Sequence, residues 1–155
     1  MRHSVSGGLV VLLGMFAGWA SPPVSVAGGP PQYDGQYTAF LSCDALPQEA
    51  PMRNQPFTLG IVGGDLTWDR AVRMPNGVTP TGVTEHAKGA VSPDGKVSVS
   101  GSAGNSQWSF KSSFQGQFDG TTLHLTGTQV WKLPSETASG TFTRACTVSA
   151  VPHGQ

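Results

Sequence analysis

Short runs in which every second residue is apolar, each closed by turn chemistry, repeat from Tyr37 to Val148. Successive side chains of an extended strand point to opposite faces, so a period of two specifies half-buried strands. Tyr37, Ala39, Leu41 and Cys43 alternate along a first strand, and Phe57, Leu59 and Ile61 define a second. Gly63-Gly64 follows, and two residues that both accept positive φ suit a tight hairpin. A third strand over 65–73 places Leu66, Trp68 and Arg70 on one face and Asp65, Thr67 and Asp69 on the other. Pro75-Asn76-Gly77 and Pro80-Thr81-Gly82 then predict a long loop between Arg70 and Glu85.

A fourth strand over 85–91 reaches Ser92-Pro93-Asp94-Gly95, which suits a type I turn followed by glycine. Val97 and Val99 share a face of the return strand, and Gly104-Asn105 turns the chain again. Trp108, Phe110, Ser112 and Phe114 line one face of the next strand. Asp119-Gly120 predicts another hairpin before Leu123, Leu125 and Gly127, and Val130–Thr137 reads as a loop carrying Trp131. Phe142, Arg144, Cys146 and Val148 share a face of the last strand. About eight antiparallel strands with short connections specify an all-β fold, a small up-and-down β-barrel. A β-sandwich is the alternative, because alternation is common to both.

Cys43 and Cys146 are the only two cysteines, one on the first strand and one on the last. Terminal strands become neighbours in a closed barrel, and an exported chain favours a structural disulfide. Closing a loop of about 100 residues stabilises a fold by roughly 4–5 kcal/mol in the chain-entropy model. Asp44 adjoins Cys43, but no His or second Cys stands at ligand spacing from either cysteine, so no metal site is expected.

The export signal precedes the strands. Arg2 and His3 form a positive start, residues 9–17 an apolar run too short to span a bilayer, and Ser25-Val26-Ala27 a small-residue cleavage site. The expected organisation is a signal peptide over 1–27 and a single β-barrel-like domain over 28–155, located in the periplasm or outside the cell. Lys and Arg number 9 and so do Asp and Glu, so no basic excess exists to attract nucleic acid or anionic lipid. No later apolar run is long enough for a stable membrane span after processing.

Several segments resemble an uncharacterised exported β-domain of proteobacteria. Tyr33-Asp34-Gly35-Gln36-Tyr37 running into Cys43 is similar to its F/Y-D-G-x-W/Y opening. Gly89–Val97 with Asp94-Gly95, Phe114–Phe118, and Arg144-Ala145-Cys146 resemble its central and closing segments. That domain carries no established activity. A looser likeness is to calycin-type barrels, which often open Gly-x-Trp and set an Arg of the last strand across the indole. The likeness implies a structural role for Gly35, Tyr37 and Arg144, with the guanidinium over the Tyr37 phenol at the barrel base.

Chemistry-bearing patterns are sparse, and no catalytic residue, metal or cofactor is expected. His86, His124 and His153 form no H-x-H or H-E-x-x-H arrangement, and His153 falls in an expected tail. Glu85 and His86, adjacent on a strand, read as a solvated edge pair pointing to opposite faces. Asp65 and Asp69 lie about 13 Å apart on a strand, beyond glycosidase geometry. The aromatics remain. Trp68, Trp108, Phe110 and Trp131 are the candidate lining of an apolar ligand site, with core packing as the alternative role. The expected activity is that of a non-enzymatic exported module binding a small apolar ligand or an extracytoplasmic protein. An envelope inhibitor using the 70–85 loop, and an enzyme with an unrecognised site, are the other readings.

Overall fold

The computed structural model describes residues 31–46, 50–73, 80–133 and 140–154. A 3-10 turn at Pro31–Tyr33 leads into eight strands: β1 (Gly35–Cys43), β2 (Met52–Val62), β3 (Asp65–Arg73), β4 (Pro80–Val91), β5 (Lys96–Gly104), β6 (Ser109–Asp119), β7 (Thr122–Leu133) and β8 (Gly140–Pro152). They close into one antiparallel up-and-down barrel in chain order, β1 pairing with both β2 and β8. The barrel is therefore the architecture, and the sandwich is not.

Closure is covalent as well as hydrogen-bonded. Cys43 and Cys146 face each other directly in the β1–β8 register and are joined as a disulfide across 103 residues, with Cα atoms 4.0 Å apart. The expectation that the terminal strands are stapled is met.

One end of the barrel is plugged by the chain entering it. Tyr33 stacks on Phe118 with centroids 4.4 Å apart, and Tyr37 Oη donates to the Tyr33 carbonyl at 2.8 Å. Asp34 Oδ2 accepts from the Gly63 amide at 2.9 Å, tying the entry to the β2–β3 turn. Gly95, at φ +79°, lies so close that an added Cβ would sit 2.6 Å from Tyr33 Oη. Above this plug, Leu41, Leu59, Ile61, Leu66, Trp68, Phe114, Leu123, Leu125 and Val148 fill the interior. The outward positions are mostly polar, including Ser98, Ser100, Ser113, Gln115, Thr126 and Thr128, with Phe40, Val62, Val130 and Val151 as exposed apolar exceptions. No helix among the described residues is long and apolar enough to cross a membrane.

The wall is thinnest between β2 and β3. Their ladder covers only Gly60↔Thr67, Ile61↔Leu66 and Val62↔Asp65, while each strand runs on to its far end. Pro56 fits here, because no β3 ladder bond is lost for want of its N–H. Asn54, at φ +46°, accompanies a register shift against β1.

Several expectations are corrected. Residues up to Arg73 belong to β3 and Pro80-Thr81-Gly82 to β4, where a loop was expected; residues 74–79 of that expected loop lie outside the described residues. Proline is tolerated because it stands at the first position of the strand, and Gly82 takes φ +74°. Trp131 is on β7 and buried, not in a rim loop. His153 is pinned to β1, its amide donating to the Gln36 carbonyl at 2.9 Å and its Nδ1 3.0 Å from Thr38 Oγ1. The expected signal segment, 1–27, lies outside the described residues.

Candidate functional site

Period-two alternation carries six polar side chains to the inside of the barrel: Gln55, Arg70, Glu85, Ser112, Gln129 and Arg144. The pairing registers bring them together. Arg70 is directly opposite Glu85 across β3–β4, Ser112 opposite Gln129 across β6–β7, and Gln129 opposite Arg144 across β7–β8. Gly101 of β5 completes the ring by leaving room, since a Cβ there would lie 2.9 Å from Ser112 Oγ and 3.1 Å from Glu85 Oε1.

Glu85 is fully engaged. Its Oε2 accepts from Arg70 Nε at 2.8 Å and Nη2 at 2.6 Å, and its Oε1 from Ser112 Oγ at 2.6 Å. Arg70 Nη1 reaches Gln55 Oε1 at 3.1 Å, a side-chain bridge over the stretch where β2 and β3 share no ladder. Gln129 Oε1 accepts from Arg144 Nε at 2.9 Å, Arg144 Nη2 at 2.6 Å and Trp131 Nε1 at 3.2 Å. Cys43 Sγ lies 3.9 Å from the same oxygen, a packing contact because a disulfide sulfur carries no proton. Arg144 Nη1, Gln129 Nε2 and Trp68 Nε1 are buried without a partner among the described residues. Burial, and then the charge of Arg70, lowers the Arg144 guanidinium to about 10 against an opposing pull from Glu85.

One side-chain row further from the plug the interior turns aromatic. Phe110 and Trp131 are opposite one another in register with ring centroids 4.5 Å apart, and Trp108 lies 5.4 Å from Trp131 and 6.3 Å from Phe110. Leu46 and Val72 are buried with them, and Trp108, Phe142 and Ala103 are half-buried at the margin. Among known proteins, no family model, curated protein or solved structure matches this chain. Its geometry alone carries the functional reading.

Of the four aromatics expected to line one site, Trp108, Phe110 and Trp131 come together, and Trp68 does not. Trp68 packs in the main core against Phe57 at 5.4 Å and Phe114 at 6.0 Å, on the other side of the polar layer. Arg144 is also placed differently from the calycin likeness. Its Cζ stands 5.2 Å over the Trp131 ring, whereas Tyr37 packs on Phe118 at the plug and pairs with Pro152. Eight residues of β8 separate Pro152 from Arg144, about 27 Å of strand. Gly35 opens β1 at φ +148°, a backbone conformation that favours glycine.

Glu85, expected in a solvated pair with His86, is 1 % exposed, and His86 instead meets Asp69 on the outside at 2.7 Å. Arg70, Glu85, Gln55, Ser112 and Gln129 were missed as a group. Their signal is a charged, amide or hydroxyl side chain on an otherwise apolar strand face. Among the described residues, no three of His, Cys, Asp and Glu gather as metal ligands.

Proposed function

We propose that this chain is a non-enzymatic exported module that takes a small apolar ligand at the aromatic end of the barrel. The observation that carries the reading is the cluster of Trp108, Phe110 and Trp131, set apart from the main core by a buried polar layer and half-buried at its edge. Stacked rings offer large apolar area at low conformational cost. A layer of buried charge contributes little net stability, so a core built only for packing has no use for it. Glu85 is the buried carboxylate of the described residues, and Arg70 and Ser112 already occupy it, which disfavours a role as catalytic base.

The disulfide is consistent with an oxidising location, and export to the periplasm or the medium is part of the proposal. The outer wall carries more polar than apolar side chains, which supports a barrel surrounded by water, since a barrel in lipid presents an apolar band outward. A protein partner adding a strand to the free edge of β2 is the weaker reading, because Pro56 and the kinked Asn54 blunt that edge.

Tryptophan fluorescence tests the proposal. Binding should shift the emission of the natural protein and of Trp68→Phe, and the shift should be lost in Trp131→Phe. No response to any member of a hydrophobic-ligand panel, together with native mass spectrometry showing no retained small molecule in protein purified from its own envelope, would refute it.

A further inference from the structure

We propose that the polar layer beneath the aromatic rings is an anion site, and that the ligand is an amphipathic carboxylate whose headgroup is received by Arg144 Nη1 and Gln129 Nε2. The inference deepens the reading just given and rests on it. It starts from a mismatch of charge and of hydrogen-bonding capacity within one buried layer.

Two guanidinium groups, Arg70 and Arg144, share the layer with one carboxylate, Glu85. Arg70 spends its Nε and Nη2 on Glu85 and its Nη1 on Gln55. Among the described residues, Arg144 has as hydrogen-bond acceptor only the neutral amide oxygen of Gln129, which it grips through Nε and Nη2. That oxygen also accepts from Trp131 Nε1, which fixes the amide with its Nε2 left over. Both surplus groups, Arg144 Nη1 and Gln129 Nε2, are donors, and their residues are 4 % and 0 % exposed. The excess is therefore positive and donor-only. Such a site calls for an acceptor that carries negative charge, because a buried ion is tolerated when paired and hydrogen-bonded.

The layout extends this from an anion to an amphipathic one. On three adjoining strands an aromatic side chain stands two residues from the polar one on the side away from the plug: Phe110 from Ser112 on β6, Trp131 from Gln129 on β7, Phe142 from Arg144 on β8. Two residues along a strand advance about 7 Å. A headgroup at Arg144 would therefore leave an attached apolar body among Phe110, Trp131 and Trp108. Trp131 links the levels, donating its Nε1 to Gln129 while its ring lies under the Arg144 guanidinium.

The test uses the disulfide-bonded protein, followed by tryptophan fluorescence and calorimetry, with decanoate, decanol and sodium chloride as probes. Decanoate should bind at least about ten-fold more tightly than decanol. Arg144→Met should abolish that preference, bringing the ratio of decanoate to decanol affinity to about one. Equal affinity of the natural protein for both probes overturns the anion site and leaves the apolar-ligand reading standing. Binding of neither removes both. Chloride stabilising the protein through Arg144 without decanoate binding would mean an inorganic-anion site only, and overturns the proposal. Should Arg144→Met not fold, carboxyl-13C decanoate on the natural protein decides. The bound carboxyl should stay ionised at a pH where the free acid is protonated, and ordinary titration in the complex counts against the site.

Discussion

Replacing Glu85 by Gln probes the polar layer most directly. Glu85 is the single negative charge placed against Arg70, at 2.6 and 2.8 Å, and it also pulls favourably on Arg144. The amide keeps the shape and removes the charge, leaving two guanidinium groups in one buried layer with no counterion among their described neighbours. Breaking a buried pair in this way costs about 3–5 kcal/mol. With about 2.1 cal/mol/K of unfolding entropy per residue over roughly 125 residues, Tm should fall by about 11–19 °C. The companion variant is Arg70→Met with Glu85→Leu, which deletes the pair together. Losing both removes a repulsion and an attraction on Arg144 together. Gln55 and Ser112 lose partners, at roughly 1 kcal/mol each. The double variant should therefore lie within about 2 kcal/mol of the natural protein. Urea unfolding followed by far-ultraviolet circular dichroism, with the disulfide intact, measures both. A Glu85→Gln cost below about 1 kcal/mol, or a double variant as unstable as the single, would refute the reasoning.

Removing the staple, Cys43→Ser with Cys146→Ser, should cost about 4–5 kcal/mol for a loop of 103 residues, read as a lower urea midpoint. Asp94 is held at about 2 by hydrogen bonds from Lys96 and Ser92, below its ordinary 3.8. Its contribution to stability is thus full above pH 3.8 and is lost as pH falls through about 2. The stability difference between the natural protein and Asp94→Asn should narrow over that window and stay level above it. Gly95→Ala and Gly120→Ala both force a side chain into positive φ, at about 1–2 kcal/mol each. Only the first also meets Tyr33 Oη, so it should cost more and speed exchange of the Phe118 amide, which donates to the Gly95 carbonyl. Equal costs would show that the Tyr33 plug adds nothing.

Most of the barrel was legible because alternation and turns agree. Gly63-Gly64 takes φ +59° and +85°, Gly95 +79° and Gly120 +59°, each at a predicted turn, and the inward residues of β1, β3 and β8 are those that the period assigned. Strand ends were less legible where proline or glycine stands in a strand. Pro80 looked like a break, yet it pairs with Arg73 beyond a register shift that absorbs the irregularity. Trp131 reads as a loop residue for a similar reason, with Lys132 and Pro134 close behind it. The polar layer was hidden for a deeper cause. Period two puts Arg70, Gln129 and Arg144 on core faces, but whether a buried charge is paired depends on register across strands. Arg70↔Glu85 needs the length of the 74–79 connection, and Gln129↔Arg144 that of 134–139. Neither follows from hydropathy.

The height of that layer within the barrel gives it functional weight. Toward the plug lies a core closed by Tyr33, Tyr37 and Phe118, whose packing accounts for stability without any charge. Away from it lie the rings of Trp108 and Phe142, still partly open to solvent. Had the polar side chains stood in the closed half, fixing strand register would explain them, since mispaired charges penalise a slipped ladder. Register here already has a covalent determinant in the Cys43–Cys146 bridge, which sets β1 against β8 two residues along the strand from Arg144. What the bridge leaves unexplained is the unspent donor capacity of Arg144 and Gln129. A device for register would satisfy those donors within the protein. A site that receives an anion would leave them free, directly beneath the surface on which the rest of the ligand rests.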